Sequence, residues 1–279
     1  TDSDADRRAV ADYWEVDDLP SAPGRETAQI LRATADGELG GLLVAGVDPF
    51  DLPDPSAAEA ALYTANFIVS IEQRHTAVTR RAAVVLPIAP VSDKGGAYLN
   101  WEGRLRTFDA SLDSSLMSDF EVLDAIAAAM GVELGLSGLR AVRGELAGVP
   151  VPDGRAAAPM VSADLPDTPG AGNALLSTWR MLLDSGTLQD NNPHLAGTAR
   201  PPVVRLSAAT AGSIGADDGQ AVTVSSATGG ITLPLAVTHM PDGVVWLPSN
   251  SPGSGVHRGL GVTAGAAVSI ATYNGGNRD

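Results

Sequence analysis

The chain contains no cysteine. Within its 279 residues that excludes disulfides, a thiolate nucleophile, a thiolate zinc site and iron–sulfur clusters held by cysteine. Lysine is almost missing too. Lys94 is the only one among 18 basic residues, and 33 acidic residues leave a net charge of −15. No polybasic surface exists to neutralise phosphates, so nucleic acid and anionic lipid are excluded as direct partners. The longest charge-free run, Gly219 to Pro241, has the length of a membrane span. Its Gly, Ser, Thr and Gln content and period-2 apolar spacing read as strands, and no direct membrane insertion is expected. The opening residues, Thr1 followed by Asp2, Asp4, Asp6, Arg7 and Arg8, read as neither an initiator nor a secretory signal peptide, and the chain is expected to be a piece of something longer.

What is present is the composition of a folded protein, 44% apolar and 18% charged. The length corresponds to about 1.9 average domains. Acidic charge is uneven: residues 1–60 hold 14 acids against 4 basic residues, whereas residues 200–279 hold 4 of each. Two regions with different surfaces are implied. Between them, Gly148 to Gly172 carries five prolines and four glycines without apolar periodicity. It reads as a linker or as an ordered loop lying over the first domain. The expected organisation is an α/β domain over 1–147, a linker over 148–172, a helix and connection over 173–202, and a small β-barrel over 203–279.

In the first region, helical segments at Arg25–Thr34 and Ser56–Phe67 alternate with the apolar strands Gly41–Val47, "FIVSIE" and "AVVLPIA". Strands apolar on both faces and separated by helices predict a parallel, Rossmann-like sheet. "AYLNWEGRLRTF" predicts a hairpin turning near Gly103, and "SDFEVLDAIAAAMG" a helix capped by Ser118 and ended by Gly131. Asn173–Gly186 predicts another helix, with Leu175, Leu176, Trp179, Leu182 and Leu183 on one face. From Val203 onward, short β-branched runs predict strands closing a barrel; Val222 and Val224, and Ile231, Leu233, Leu235 and Val237, alternate with polar residues.

Familiar catalytic motifs fail on chemistry. The strand ending at Val47 runs into "DPFDLPDP", with proline where a dinucleotide turn needs glycine, and Lys94 lacks the glycine spacing of a phosphate loop. His75, His194, His239 and His257 have no metal spacing. "DSDAD" starts like a calcium loop, yet Arg7 and Tyr13 stand where glycine and glutamate are required, so it reads as an acidic tail. No G-x-S-x-G elbow occurs. Glu72 to His75 end a parallel strand, which makes them either ligand-facing groups or the polar start of the next element, and Arg80 and Arg81 read as a solvated face.

One segment carries more than composition. "AAVVLPIAPVSDKGGAYLNWEGRLRTF", Ala82 to Phe108, resembles the "VVLP … E-x-x-G-T-x-x-N-x-E-G-R" signature of the molybdopterin oxidoreductase superfamily. Gly96, Asn100, Glu102, Gly103 and Arg104 agree with it; Asp93 replaces Glu and Ala97 replaces Thr. The region from Arg205 to Val256 resembles that superfamily's C-terminal dinucleotide-cofactor domain, a double-psi-type β-barrel. "ADYWEVDDLPSAPGRETAQIL", "VAGVDPFDLPDP" and "NWEGR" are similar to the C-terminal part of the large peripheral-arm subunits of respiratory complex I, the G-subunit family of NADH-quinone oxidoreductases. Arginine-rich, lysine-poor usage suggests a high-GC actinobacterial source.

The resemblance implies a non-catalytic scaffold without molybdenum and without a cofactor of its own. It also implies 2Fe-2S and 4Fe-4S clusters upstream, other peripheral-arm subunits as partners, and a place on the cytoplasmic side of the membrane within a membrane-bound complex. Vestiges of a pterin pocket would be Asn100, Arg104, Asn250 and Ser251; a hairpin and a Gly/Pro turn explain the same residues. The alternative is the C-terminal half of an active molybdopterin oxidoreductase, similar to a formate dehydrogenase or nitrate reductase. No catalytic or metal-binding residue is expected under the first reading.

Overall fold

A computed structural model describes residues 3–150, 169–170 and 172–273. In chain order, the first elements are α1 (Asp4–Tyr13), α2 (Thr27–Ala35), β1 (Leu42–Ala45), α3 (Pro55–Thr64), β2 (Ile68–Glu72) and β3 (Val84–Pro87). The hairpin β4 (Gly96–Leu99) and β5 (Leu105–Phe108) follows, then α4 (Asp119–Ala129) and α5 (Leu139–Gly148). The remainder comprises β6 (Asn173–Trp179), α6 (Pro193–Ala196), β7 (Val204–Leu206), α7 (Ala208–Ser213), β8 (Ala221–Ser225) and β9 (Gly230–Val237). It closes with β10 (Val244–Pro248), β11 (Asn250–Ser251), β12 (Ser254–Gly255), α8 (Val256–Leu260) and β13 (Ala267–Thr272). The chain divides into two compact units: Thr1–Gly46 with Thr64–Val161, and Val47–Tyr63 with Ser162–Asp279.

The first unit holds the expected parallel sheet, ordered β1-β2-β3, with Leu43 opposite Val69 and Val69 opposite Val84. Ile71, Ile88 and Val122 form a small core with Leu86 and Ile126, which seats α4 on the sheet. α4 starts at a capping box in which Ser118 and Glu121 bond reciprocally. The acidic opening is a helix rather than a tail. Ser3 caps α1 by accepting from the Asp6 amide, and Asp4 and Asp6 in the first turn complement the helix dipole. Between β2 and β3 the chain makes a turn in which the Arg80 amide donates to the Thr76 carbonyl at 3.3 Å and the Ala82 amide to the Val78 carbonyl at 3.0 Å.

The second unit is built on a closed six-stranded barrel, ordered β10-β6-β13-β8-β9-β7. Two pairs, β10/β6 and β7/β9, are parallel among otherwise antiparallel neighbours, which is the double-psi arrangement foreseen for this region. Val222, Val224, Ile231, Leu233 and Leu235 point inward with Leu206, Val245, Leu247, Val268 and Ile270 to form one core; Val237, at the end of the same alternation, is exposed.

The helix expected over Asn173–Gly186 is not formed. Asn173–Trp179 is strand β6, with Ala174 and Leu176 in the barrel core. Leu and Trp spaced for one helical face were outweighed by pairing with β10 on one side and β13 on the other, contacts no local pattern contains. Residues 151–168 and 171 of the expected linker lie outside the described residues.

Candidate functional site

The barrel unit carries a cavity of about 400 Å³. β10 delivers the chain to it: after Pro248, Ser249 donates its amide to the Trp179 carbonyl at 3.0 Å, and β11 and β12 fold back as a tight hairpin. Gly253, at φ 77°, makes that return possible, since the left-handed region strains any side chain. Ser254 is fully buried and donates from Oγ to the Pro248 carbonyl at 2.8 Å, pinning the hairpin. α8 leaves the hairpin at once and places Arg258 on the cavity wall, its guanidinium 4.0 Å from the centre of the Phe50 ring.

Phe50 and Asp48 reach the cavity from Val47–Tyr63, the stretch that belongs to this unit although it lies between β1 and β2 in sequence. A charged cluster ties it down. Arg180 donates from Nη2 to Asp51 at 2.8 Å and from Nη1 to Asp184 at 2.7 Å, and Asn250 donates from Nδ2 to the same Asp51 oxygen at 3.3 Å. Bonding to Asp184 first, and to Asp51 next, raises the Arg180 guanidinium above its ordinary pKa. Ser185 closes the ring by donating its amide to the Asn250 carbonyl at 2.7 Å.

Asn250 and Ser251 therefore share one cavity. Ser251 is only 5% exposed, and neither its hydroxyl nor that of Ser249 has a hydrogen-bond partner among the described residues. Asn100 and Arg104 sit elsewhere, in the turn of the first unit's hairpin. Asn100 Oδ1 accepts from the Glu102 amide at 3.1 Å and the Arg104 amide at 2.8 Å, while Arg104 Nε pairs with Glu102 at 3.0 Å. Those contacts hold the turn. Among the described residues no group of three or more His, Cys, Asp or Glu side chains could hold a metal ion, and no helix is long and apolar enough to cross a membrane. His75, His194 and His239 are exposed.

Sequence reasoning missed Asp48, Phe50, Asp51, Arg180 and Arg258. The one local signal was Asp48 before Pro49, an Asx cap whose Oδ1 accepts from the Phe50 amide at 3.0 Å. Nothing local said that this cap faces a barrel.

The cavity's donors do not suit a pterin dinucleotide. Its diphosphate calls for several cations or a glycine nest at a long helix, whereas the wall sets one guanidinium, already engaged by Phe50, against the Asp48 carboxylate.

Comparison with known proteins matches residues 5–129 to the molybdopterin oxidoreductase family model and residues 175–275 to that of the molydopterin dinucleotide binding domain. The G subunit of the NADH-quinone oxidoreductase of Mycobacterium bovis is 55% identical over 269 residues, covering 95% of this chain and 33% of that protein. Its Streptomyces coelicolor counterpart is 48% identical over 271 residues, with 95% and 32% covered. The chain thus spans about a third of the length of the curated relatives it matches. Among solved structures, acetylene hydratase from Pelobacter acetylenicus shares the fold at a TM-score of 0.58 and 16% identity, over 88% of this chain and 42% of that one.

Proposed function

Because the chain belongs to the molybdopterin oxidoreductase family, we propose that it serves as a non-catalytic structural segment of the large peripheral-arm subunit in an NADH-quinone oxidoreductase. The observation that carries this reading is identity of 55% maintained through 95% of the chain, across both units. Electron transfer needs a redox centre, and a chain without cysteine has no thiolate with which to hold an iron–sulfur cluster. On this reading the 2Fe-2S and 4Fe-4S clusters belong to other residues of the longer subunit. The partners are other peripheral-arm subunits of complex I, on the cytoplasmic side of the membrane. The segment has no cofactor of its own, in keeping with a cavity whose charges nearly cancel.

The test is elemental analysis of the intact complex, purified through a tag on the full subunit, together with NADH:quinone turnover. Iron without stoichiometric molybdenum is expected, and Ser251→Ala and Arg258→Met should leave turnover unchanged. Stoichiometric molybdenum that is lost in Arg258→Met would overturn the scaffold reading in favour of an active pterin enzyme, similar to a formate dehydrogenase or nitrate reductase.

A further inference from the structure

The β4–β5 hairpin of the first unit is held firmly at its base and is bare at its tip. At the base, Arg143 of α5 donates from Nη2 to the Gly96 carbonyl at 3.0 Å and to the Phe108 carbonyl at 2.9 Å. A Cβ on Gly95 would stand 2.5 Å from a Leu139 methyl, and one on Gly96 2.7 Å from the Phe108 ring, so the ribbon root is packed to contact. At the tip, the Asn100 side chain fixes the turn through the Glu102 and Arg104 amides. Two strands by themselves are marginal in water, and these two make a sheet of their own.

The tip nonetheless displays apolar groups. Trp101 is 94% exposed, Leu99 69% and Leu105 52%. The register puts Leu99 opposite Leu105 on one face of the ribbon and Tyr98 opposite Arg106 on the other, where Tyr98 stacks on Phe108 with ring centres 5.1 Å apart. Apolar surface on both faces and at the end fits insertion into a cleft; a flat partner would cover one face only. A large rigid aromatic on a pre-set turn is the kind of group that dominates the energy of an interface.

We propose that this hairpin is a docking arm that inserts Trp101 into an apolar cleft formed by the part of the same polypeptide lying outside this segment. The inference rests on the reading of the chain as a segment of a longer subunit. The relatives carry about two thirds of their length beyond the matched third, which supplies a covalently attached occupant. A second copy is disfavoured because it would set two segments of net charge −15 against each other. The cleft must cover Leu99 and Leu105 on one wall, receive the indole at its end, and offer an acceptor to Arg106 on the other wall.

Two measurements on the full-length subunit test it. A photo-cross-linking amino acid replacing Trp101 should join the hairpin to a peptide of the same polypeptide outside these 279 residues. A cross-link to a different protein, to a second copy, or to nothing would overturn the proposal. Trypsin should spare Arg104 and Arg106 in the unsubstituted full-length chain, and Trp101→Ala should speed cleavage there by about tenfold or more, with Trp101→Phe restoring most of the protection. Ready cleavage of the unsubstituted chain at either arginine would sink the idea. If the subunit purifies with no other oxidoreductase subunit while the intrachain cross-link forms, the scaffold reading fails and the docking arm stands.

Discussion

Ser118 shows how much one residue can settle. Its hydroxyl and its amide both donate to Glu121 Oε2 at 2.7 Å, and the hydroxyl, then the amide, hold that carboxyl below the usual 4.5. A lowered folded value means that the cap contributes in full above pH 4.5 and is lost as pH falls through the lowered value. Ser118→Ala should cost about 1 kcal/mol near neutrality in urea unfolding, and the gap to the parent chain should narrow in acid; an equal gap at pH 7 and about pH 3 would refute the assignment. This cap was readable because Ser-x-x-Glu before an apolar run is a local pattern. Gly229 was not, because its constraint is remote. A Cβ there would lie 2.3 Å from the Gly259 carbonyl oxygen, a backbone atom that cannot swing aside. Gly229→Ala should therefore lower stability by about 1–3 kcal/mol in thermal or urea unfolding, although the sequence shows only a Gly-Gly turn.

At the scale of elements, legibility follows how local the deciding contacts are. The parallel strands, the hairpin turning at Gly103 and the helix opened by Ser118 each announce themselves within a dozen residues, through apolar runs, a left-handed glycine or a cap. β6 does not. Its Leu175, Leu176 and Trp179 sit at helical spacing, while only Ala174 and Leu176 face the core, and their partners arrive with β10 and β13 much later in the chain. The two assignments separate experimentally. On one helical face, Leu176 and Leu182 would be equivalent, whereas in the structure Leu176 is buried and Leu182 is 94% exposed. Leu176→Ala should cost about 2–5 kcal/mol in urea unfolding and Leu182→Ala less than about 0.5 kcal/mol. Comparable losses at both positions would restore the helix.

For the whole molecule, the feature least visible in sequence is the membership of Val47–Tyr63 in the barrel unit. Asp51 and Arg180 are 129 positions apart, and the Phe50–Arg258 stack spans more, so neither periodicity nor spacing could pair them. The candidate cavity inherits this. Asn250 and Ser251 could be suspected from "SNSPGSG", but the wall that faces them comes from the other end of the chain. A unit assembled from two distant stretches should be separable and restorable. The excised stretch 162–279 retains the barrel core, so it should fold, with a lower thermal midpoint than the whole unit because Arg180 has lost Asp51 and Arg258 has lost the Phe50 ring. Adding a peptide of residues 47–63 should raise that midpoint in a saturable way, by an amount equivalent to about 2.7 kcal/mol when the peptide is at a hundred times its dissociation constant. The same peptide with Asp51→Asn keeps the Phe50 contact but loses the charge shared by Arg180 and Asn250, so it should saturate only at higher concentration. A midpoint indifferent to both peptides would mean that the barrel holds its fold, and shapes its cavity, without the segment that supplies Asp48 and Phe50.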